Sequence, residues 1–116
     1  ALLTLSGEHL MQLCSEIASV GGEAISGMTI VITADRKLLD VKVGGRSVDR
    51  SRSYRVATSD HLSQGNDKMT ALASGTEREI MSNITIRDLM INYLRALASE
   101  GKPLSAKCDG RITIKE

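Results

Sequence analysis

Phenylalanine and tryptophan are absent from this 116-residue sequence, and its only aromatic residues are Tyr54 and Tyr93. Modules that stack single-stranded bases on several rings are thereby excluded, since the only other flat side chains are those of His9 and His61. Two histidines are also too few for a binuclear hydrolytic centre, which draws on several His and Asp side chains, and a zinc site is equally unsupported. The two cysteines, Cys14 and Cys108, fit no CxxC spacing; they are either one disulfide or two small packed thiols. Neither sign of charge dominates. Lys and Arg number 15, Asp and Glu 14, for a net charge of +1. Binding to a nucleic-acid polymer or an anionic membrane through bulk charge is therefore not expected. No apolar run approaches the roughly 18 residues of a membrane-spanning helix.

What is there suits one folded domain over residues 1–116. Hydrophobic residues make up 41% and charged residues 25%, as in a soluble globular chain. Area scaling for this size leaves roughly 6,000 Å² exposed after folding, with about two thirds of the open chain's surface buried. The chain opens inside an apolar run, Leu2-Leu3-Thr4-Leu5, with no initiating Met and no signal peptide, as a processed or trimmed piece would.

Leu2 to Leu5 reads as a strand. Ser6 is placed to cap a helix whose buried face is Leu10, Leu13, Cys14 and Ile17, and Gly21-Gly22 ends it. Met28–Thr33 and Leu38–Val43 read as a strand pair around a turn at Ala34 to Lys37. Arg46 to Ser53 is a polar connection. Its arginines, with Arg55, either hold an anion or lie solvated along an edge; Asp49 among them favours the second. Tyr54 to Thr58 is a strand, and Ser59 to Lys68 has loop chemistry. Met69 to Leu72 is apolar and ambiguous. Ser74 to Ser82 reads as a loop with one extended stretch at Glu79 to Met81. Thr85-Ile86-Arg87-Asp88 is a capping box. It opens a helix with Leu89, Met90, Tyr93, Leu94 and Leu97 on one stripe, stopped by Gly101 and Pro103. Arg111 to Ile114 closes the chain as a strand. The order predicts an α+β domain, a mixed, largely antiparallel sheet packed against helices.

Catalytic chemistry is scarce. Ser59-Asp60-His61 has the letters of a triad, but adjacent residues cannot converge in that geometry. Neither double glycine sits in a phosphate-loop pattern. One constellation stands out, the strand end and loop Val56 to Asp67. It carries an imidazole at His61, a glycine at Gly65 and a carboxylate at Asp67. A carboxylate accepts two hydrogen bonds from a vicinal diol, and an imidazole stacks on a base. The plainer reading has Asp60 and Asp67 stabilising turns and His61 half exposed.

The order and spacing of these segments resemble the C-terminal domain of the 5′-nucleotidase and UDP-sugar hydrolase family over almost the whole chain. The likeness runs through Leu3-Thr4-Leu5-Ser6-Gly7-Glu8-His9-Leu10, Ile25-Ser26-Gly27-Met28, Val41-Lys42-Val43-Gly44-Gly45, Asp49 and Ser53-Tyr54-Arg55-Val56-Ala57-Thr58. It continues in Asp60-His61-Leu62-Ser63-Gln64-Gly65-Asn66-Asp67, which is similar to an aromatic-Leu-Ala-x-Gly-Gly-Asp loop, then in Thr85 to Leu94 and Gly110-Arg111-Ile112-Thr113. The resemblance implies a nucleoside-recognition domain that assists a metallophosphoesterase domain, in cis or in trans, and is not catalytic alone. The divalent metal pair would lie on that partner domain, with no cofactor in this chain. The ligand is a nucleoside or nucleotide, and the location periplasmic or extracellular. Its ligand-binding residues are His61, Gly65, Asn66 and Asp67. His61 takes the place of one ring of a base sandwich, and Asp67 that of the aspartate on the ribose. Asn66 replaces a glycine and, tolerating left-handed backbone, would preserve the loop. The other ring falls at about Gly22, where nothing is aromatic. The alternative is a degenerate interaction module that docks a catalytic partner without binding ligand.

Overall fold

Residues 1–116 are all described in a computed structural model. Strand β1 (Leu2–Ser6) runs between β5 (Ser53–Ala57) and β6 (Thr76–Glu79), antiparallel to both. A second sheet orders β4 (Arg46–Ser47), β3 (Leu38–Val43), β2 (Met28–Thr33) and β7 (Ile112–Lys115). Its one parallel pair joins β2 to β7, in register from Ile30 with Ile112 to Thr33 with Lys115. The α+β class holds, with the strands divided between two sheets. Strand β6 lies within the span read as loop, but over Thr76–Glu79 rather than Glu79 to Met81. That stretch is polar and carries no apolar alternation; hydrogen bonding to β1 fixes it.

Helix α1 (Gly7–Ser19) packs against both sheets and forms the heart of the core. Ser6 caps it, its Oγ accepting from the His9 amide at 3.1 Å. Leu10, Leu13, Cys14, Ile17 and Ala18 are buried, a face repeating at the helical three-and-four spacing. The helix ends in a Schellman motif: the Gly21 amide donates to the Ala18 carbonyl and the Gly22 amide to that of Ile17. Gly21 and Gly22 have φ of 84° and 124°, open to glycine at little cost. The sheets meet α1 through alternate residues: Leu3 and Leu5 from β1, Ile30 and Ile32 from β2, Val41 from β3. Met69, Ala71 and Leu72 complete the core. This ambiguous apolar stretch is a 3₁₀ helix over Thr70–Ser74, packed on α1.

Helix α3 (Ile86–Ser99) departs from expectation. The short helix α2 (Asp60–Ser63) precedes it in the chain. The capping box of α3 forms as read, Thr85 accepting from the Asp88 amide at 3.0 Å and Asp88 from the Thr85 amide at 3.1 Å. A second Schellman motif closes it, through Gly101 to Ala98 and Lys102 to Leu97. Yet none of its residues is buried. Leu89, Met90 and Tyr93 are 55%, 61% and 59% exposed. Periodicity defines an apolar face; it does not say what that face meets, and here no sheet lies against it.

Both cysteines are free. Cys14 is buried in the core and Cys108 exposed, so no disulfide joins them. Burial pushes the Cys14 thiol up from 9.0 to about 11. No helix is long and apolar enough to cross a membrane.

Candidate functional site

The predicted loop begins as a helical turn. Strand β5 ends at Ala57, and Ser59 caps α2, its Oγ accepting from the Leu62 amide at 3.2 Å. The Ser63 hydroxyl donates back to the Asp60 carbonyl at 2.7 Å. Loop composition hid this turn because it is set by a capping serine and one buried side chain, Ser63, rather than by an apolar repeat. After it the chain reverses through left-handed backbone at Gly65 (φ 88°), Asp67 (φ 55°) and Lys68 (φ 67°). Asn66 is not among the left-handed residues, which corrects its expected role. Its side chain braces the turn instead, Nδ2 donating to the His61 carbonyl at 2.9 Å and lying 3.4 Å from His61 Nδ1.

This reversal brings His61 Nε2 to 3.4 Å from Asp67 Oδ2. Both side chains are about two thirds exposed, at 64% and 66%. Asp67 makes no other ion pair, so its second oxygen is free to accept. His61, Gly65, Asn66 and Asp67 therefore form one cluster, as the sequence placed them. Two residues that the sequence did not single out hold the cluster's base. Arg78 on β6 donates from Nη1 to the Ser63 carbonyl at 2.8 Å and from Nη2 to the Leu72 carbonyl at 3.0 Å. Glu16 on α1 accepts from the Ala71 amide at 3.1 and 3.2 Å and from the Thr70 hydroxyl. No sequence pattern marks either role, because the Arg78 bond to Ser63 spans 15 positions and the Glu16 bond to Ala71 spans 55.

Beside the cluster runs a groove of about 670 Å³, within the range of small-molecule pockets. Its lining includes Tyr54, Thr58 and Leu62 from β5 and the chain after it, Ile25 and Met28 from the chain entering β2, and Leu13 and Ile17 of α1. The segments that flank the expected base sandwich thus share one groove. The wall after α1 is aliphatic: Ile25 faces the groove, while Gly22 does not line it and a Cβ there would meet Ile112 at 3.4 Å.

The arginines of the polar connection do not converge. Arg50 pairs with Glu8 at 3.0 Å, Arg55 bonds Thr4 and the Glu77 carbonyl, and Arg52 lies 6.0 Å from the centre of the Tyr54 ring. They form a solvated edge. Asp49 turns this connection, accepting from the Ser51 amide at 2.9 Å and hydroxyl at 2.7 Å, which holds its carboxyl below the usual range. No three His, Cys, Asp or Glu side chains meet where they would hold a metal ion. A metal pair does not fit these residues.

Comparison with known proteins places this geometry. The model of the 5′-nucleotidase C-terminal domain family matches residues 1–74, from β1 through the His61–Asp67 turn to the 3₁₀ helix. The chain belongs to that family. As a 5′-nucleotidase C-terminal domain it has a structural neighbour in the sulfate thiohydrolase SoxB of Thermus thermophilus, solved with glycerol. The two are 21% identical, with a TM-score of 0.63 over 97% of this chain and 22% of that one. That likeness is one of fold, and the domain spans about a fifth of the neighbour's length. No curated protein matches the chain.

Proposed function

We propose that this 5′-nucleotidase C-terminal domain recognises the nucleoside part of a nucleotide and assists its hydrolysis by a metallophosphoesterase domain, in the same polypeptide or a separate one. The divalent metal pair belongs to that partner, and the work of this chain is binding and orientation. Such a division fits an exported protein, periplasmic or at the cell surface. The observation that carries the reading is the convergence of His61 and Asp67 at 3.4 Å on a braced, solvent-open turn beside the groove. The imidazole face stacks on the base, and the free oxygen of Asp67 accepts from the sugar hydroxyls. Gly65 supplies the left-handed backbone of the turn and its close approach to Ala73, and Asn66 fixes the turn through the His61 carbonyl.

Titration with adenosine and AMP, followed by the amide resonances of residues 60–69, tests this. Saturable shifts are expected. A base–ring stack contributes about 1–3 kcal/mol, so His61→Ala weakens binding by about one to two decades. Asp67→Asn weakens adenosine more than the free base. The purified domain alone releases no phosphate from AMP. The absence of any shift at millimolar ligand overturns nucleoside recognition.

A second reading rests on the aliphatic wall at Ile25. With an aliphatic side chain where the second ring would stand, the fold serves as a module that docks its catalytic partner without binding ligand. Silent titrations, together with capture of a metallophosphoesterase domain, favour it.

A further inference from the structure

The chain between α1 and β2 lines the groove from Glu23 to Met28, yet few bonds hold it. Gly21 and Gly22 close α1, and the Gly27 carbonyl accepts from the Gly44 amide at 3.1 Å. From Glu23 to Ser26 there is no regular structure and no backbone–backbone hydrogen bond. A single side chain reaches this stretch. Arg111 donates from Nη1 to the Ile25 carbonyl at 2.8 Å, across 86 positions. We propose that Arg111 is a positioning residue for the groove, a tether that holds the Ile25 wall from the start of β7 and so tunes the affinity of a ligand it does not touch. Arg111 itself does not line the groove. The hold on the wall is a property of the free domain; its effect on affinity rests on the nucleoside recognition proposed above.

Both ends of the tether are fixed. On the backbone side, the Arg111 carbonyl accepts from the Ile30 amide at 2.8 Å, at the head of the parallel pairing in which Ile30 faces Ile112. On the side-chain side, Nε donates to Asp109 Oδ2 at 2.8 Å. Gly110 between them has φ of 79°, a left-handed conformation that glycine adopts at little cost, and the two side chains meet across it. A guanidinium carries its donors in one rigid plane, so a carboxylate on Nε helps to aim Nη1.

The wall needs such a bond. Ile25 packs against the core as a partly buried residue, but apolar packing is non-directional. It favours burial of the side chain without fixing where the backbone sits, whereas a hydrogen bond to the carbonyl supplies direction. Glycines with positive φ stand at both ends of the stretch, Gly21, Gly22 and Gly27, and add no stiffness of their own. The Arg111–Asp109 pair is about half exposed, at 52% and 48%, and a pair so placed contributes little to global stability. Its consequence is therefore the placing of the wall rather than the survival of the fold. The tether reaches into the family-matched residues 1–74 from outside them.

Amide relaxation of the whole chain, free and titrated with adenosine, tests the tether. Arg111→Met keeps an unbranched side chain and loses every donor. In the free variant the order parameters of residues 23–26 should fall, while the amides of β1 and β5 keep their wild-type shifts and the denaturant midpoint moves little. Adenosine should bind about tenfold more weakly, the size of one hydrogen bond to a charged group. Arg111→Lys keeps the charge but loses the fork, and should recover only part of the order and of the affinity. Asp109→Ala, which frees Nε, should act in the same direction as Arg111→Met and by less. Residues 23–26 that stay as ordered in Arg111→Met as in wild type overturn the tether. So does a loss of order spread over the whole fold, which marks a general structural role. A loosened wall with unchanged adenosine affinity overturns the link to binding. A wild type that shows no adenosine shift overturns nucleoside recognition instead, and the free-domain relaxation still decides whether Arg111 holds the wall.

Discussion

Gly7 shows how much one residue carries. In sequence it is the glycine of a strand-to-helix start. In the structure a Cβ there would lie 2.0 Å from the Asp49 carbonyl oxygen and 2.6 Å from the Arg50 Cα. Both are backbone atoms, held in place because the Gly7 amide donates to the Arg52 carbonyl at 2.7 Å. The glycine is there for close approach, and its motif marks the point where the polar connection docks on α1. Gly7→Ala should destabilise by at least the roughly 1–3 kcal/mol typical of overpacking. A lowered denaturant midpoint at unchanged slope checks this. His61 and Asp67 are the opposite case. Their types were plain in the sequence, but their approach depends on left-handed backbone at Asp67 and Lys68, which no local pattern announces.

Among the elements, those with a local cause were legible. Ser6 and Thr85 cap α1 and α3 as their hydroxyls predict, and β2 and β3 fall on the expected residues. Elements made by distant partners were not. Strand β6 is polar and exists through β1. The 3₁₀ helix exists through burial of Met69, Ala71 and Leu72 and through Glu16. Glu16→Ala removes a charged acceptor from the Ala71 amide, a loss of about 1–3 kcal/mol. Because the clamp spans α1 and the 3₁₀ helix only, the loss should appear locally. Hydrogen exchange at Ala71 and Leu72 and proteolysis between residues 64 and 75 should accelerate, with exchange in β2 less affected.

For the whole molecule, the buried thiol gives a dependence on pH with a definite sign. Cys14 is raised from 9.0 to about 11 by burial in the core. A group that loses its proton less readily in the folded state favours that state while the proton is on. Its contribution is complete below pH 9 and is lost as pH rises towards 11. Cys14→Ala should therefore flatten the alkaline fall in stability relative to wild type, as read from denaturant midpoints across that interval. The same burial makes Cys108 the cysteine that reacts with a thiol reagent in the native state.

The sequence by itself determined the order of the longer elements, the caps of α1 and α3, the inward residues of α1, and the family. Each follows from short-range spacing or from residues in a recognisable order. Only the tertiary structure decided that the strands split into two sheets, that Ile25 rather than Gly22 faces the groove, and that the stripe of α3 has no cover in its own chain. Those outcomes depend on which surfaces meet across long chain separations. An apolar pattern states that a face should leave water and leaves its partner unnamed.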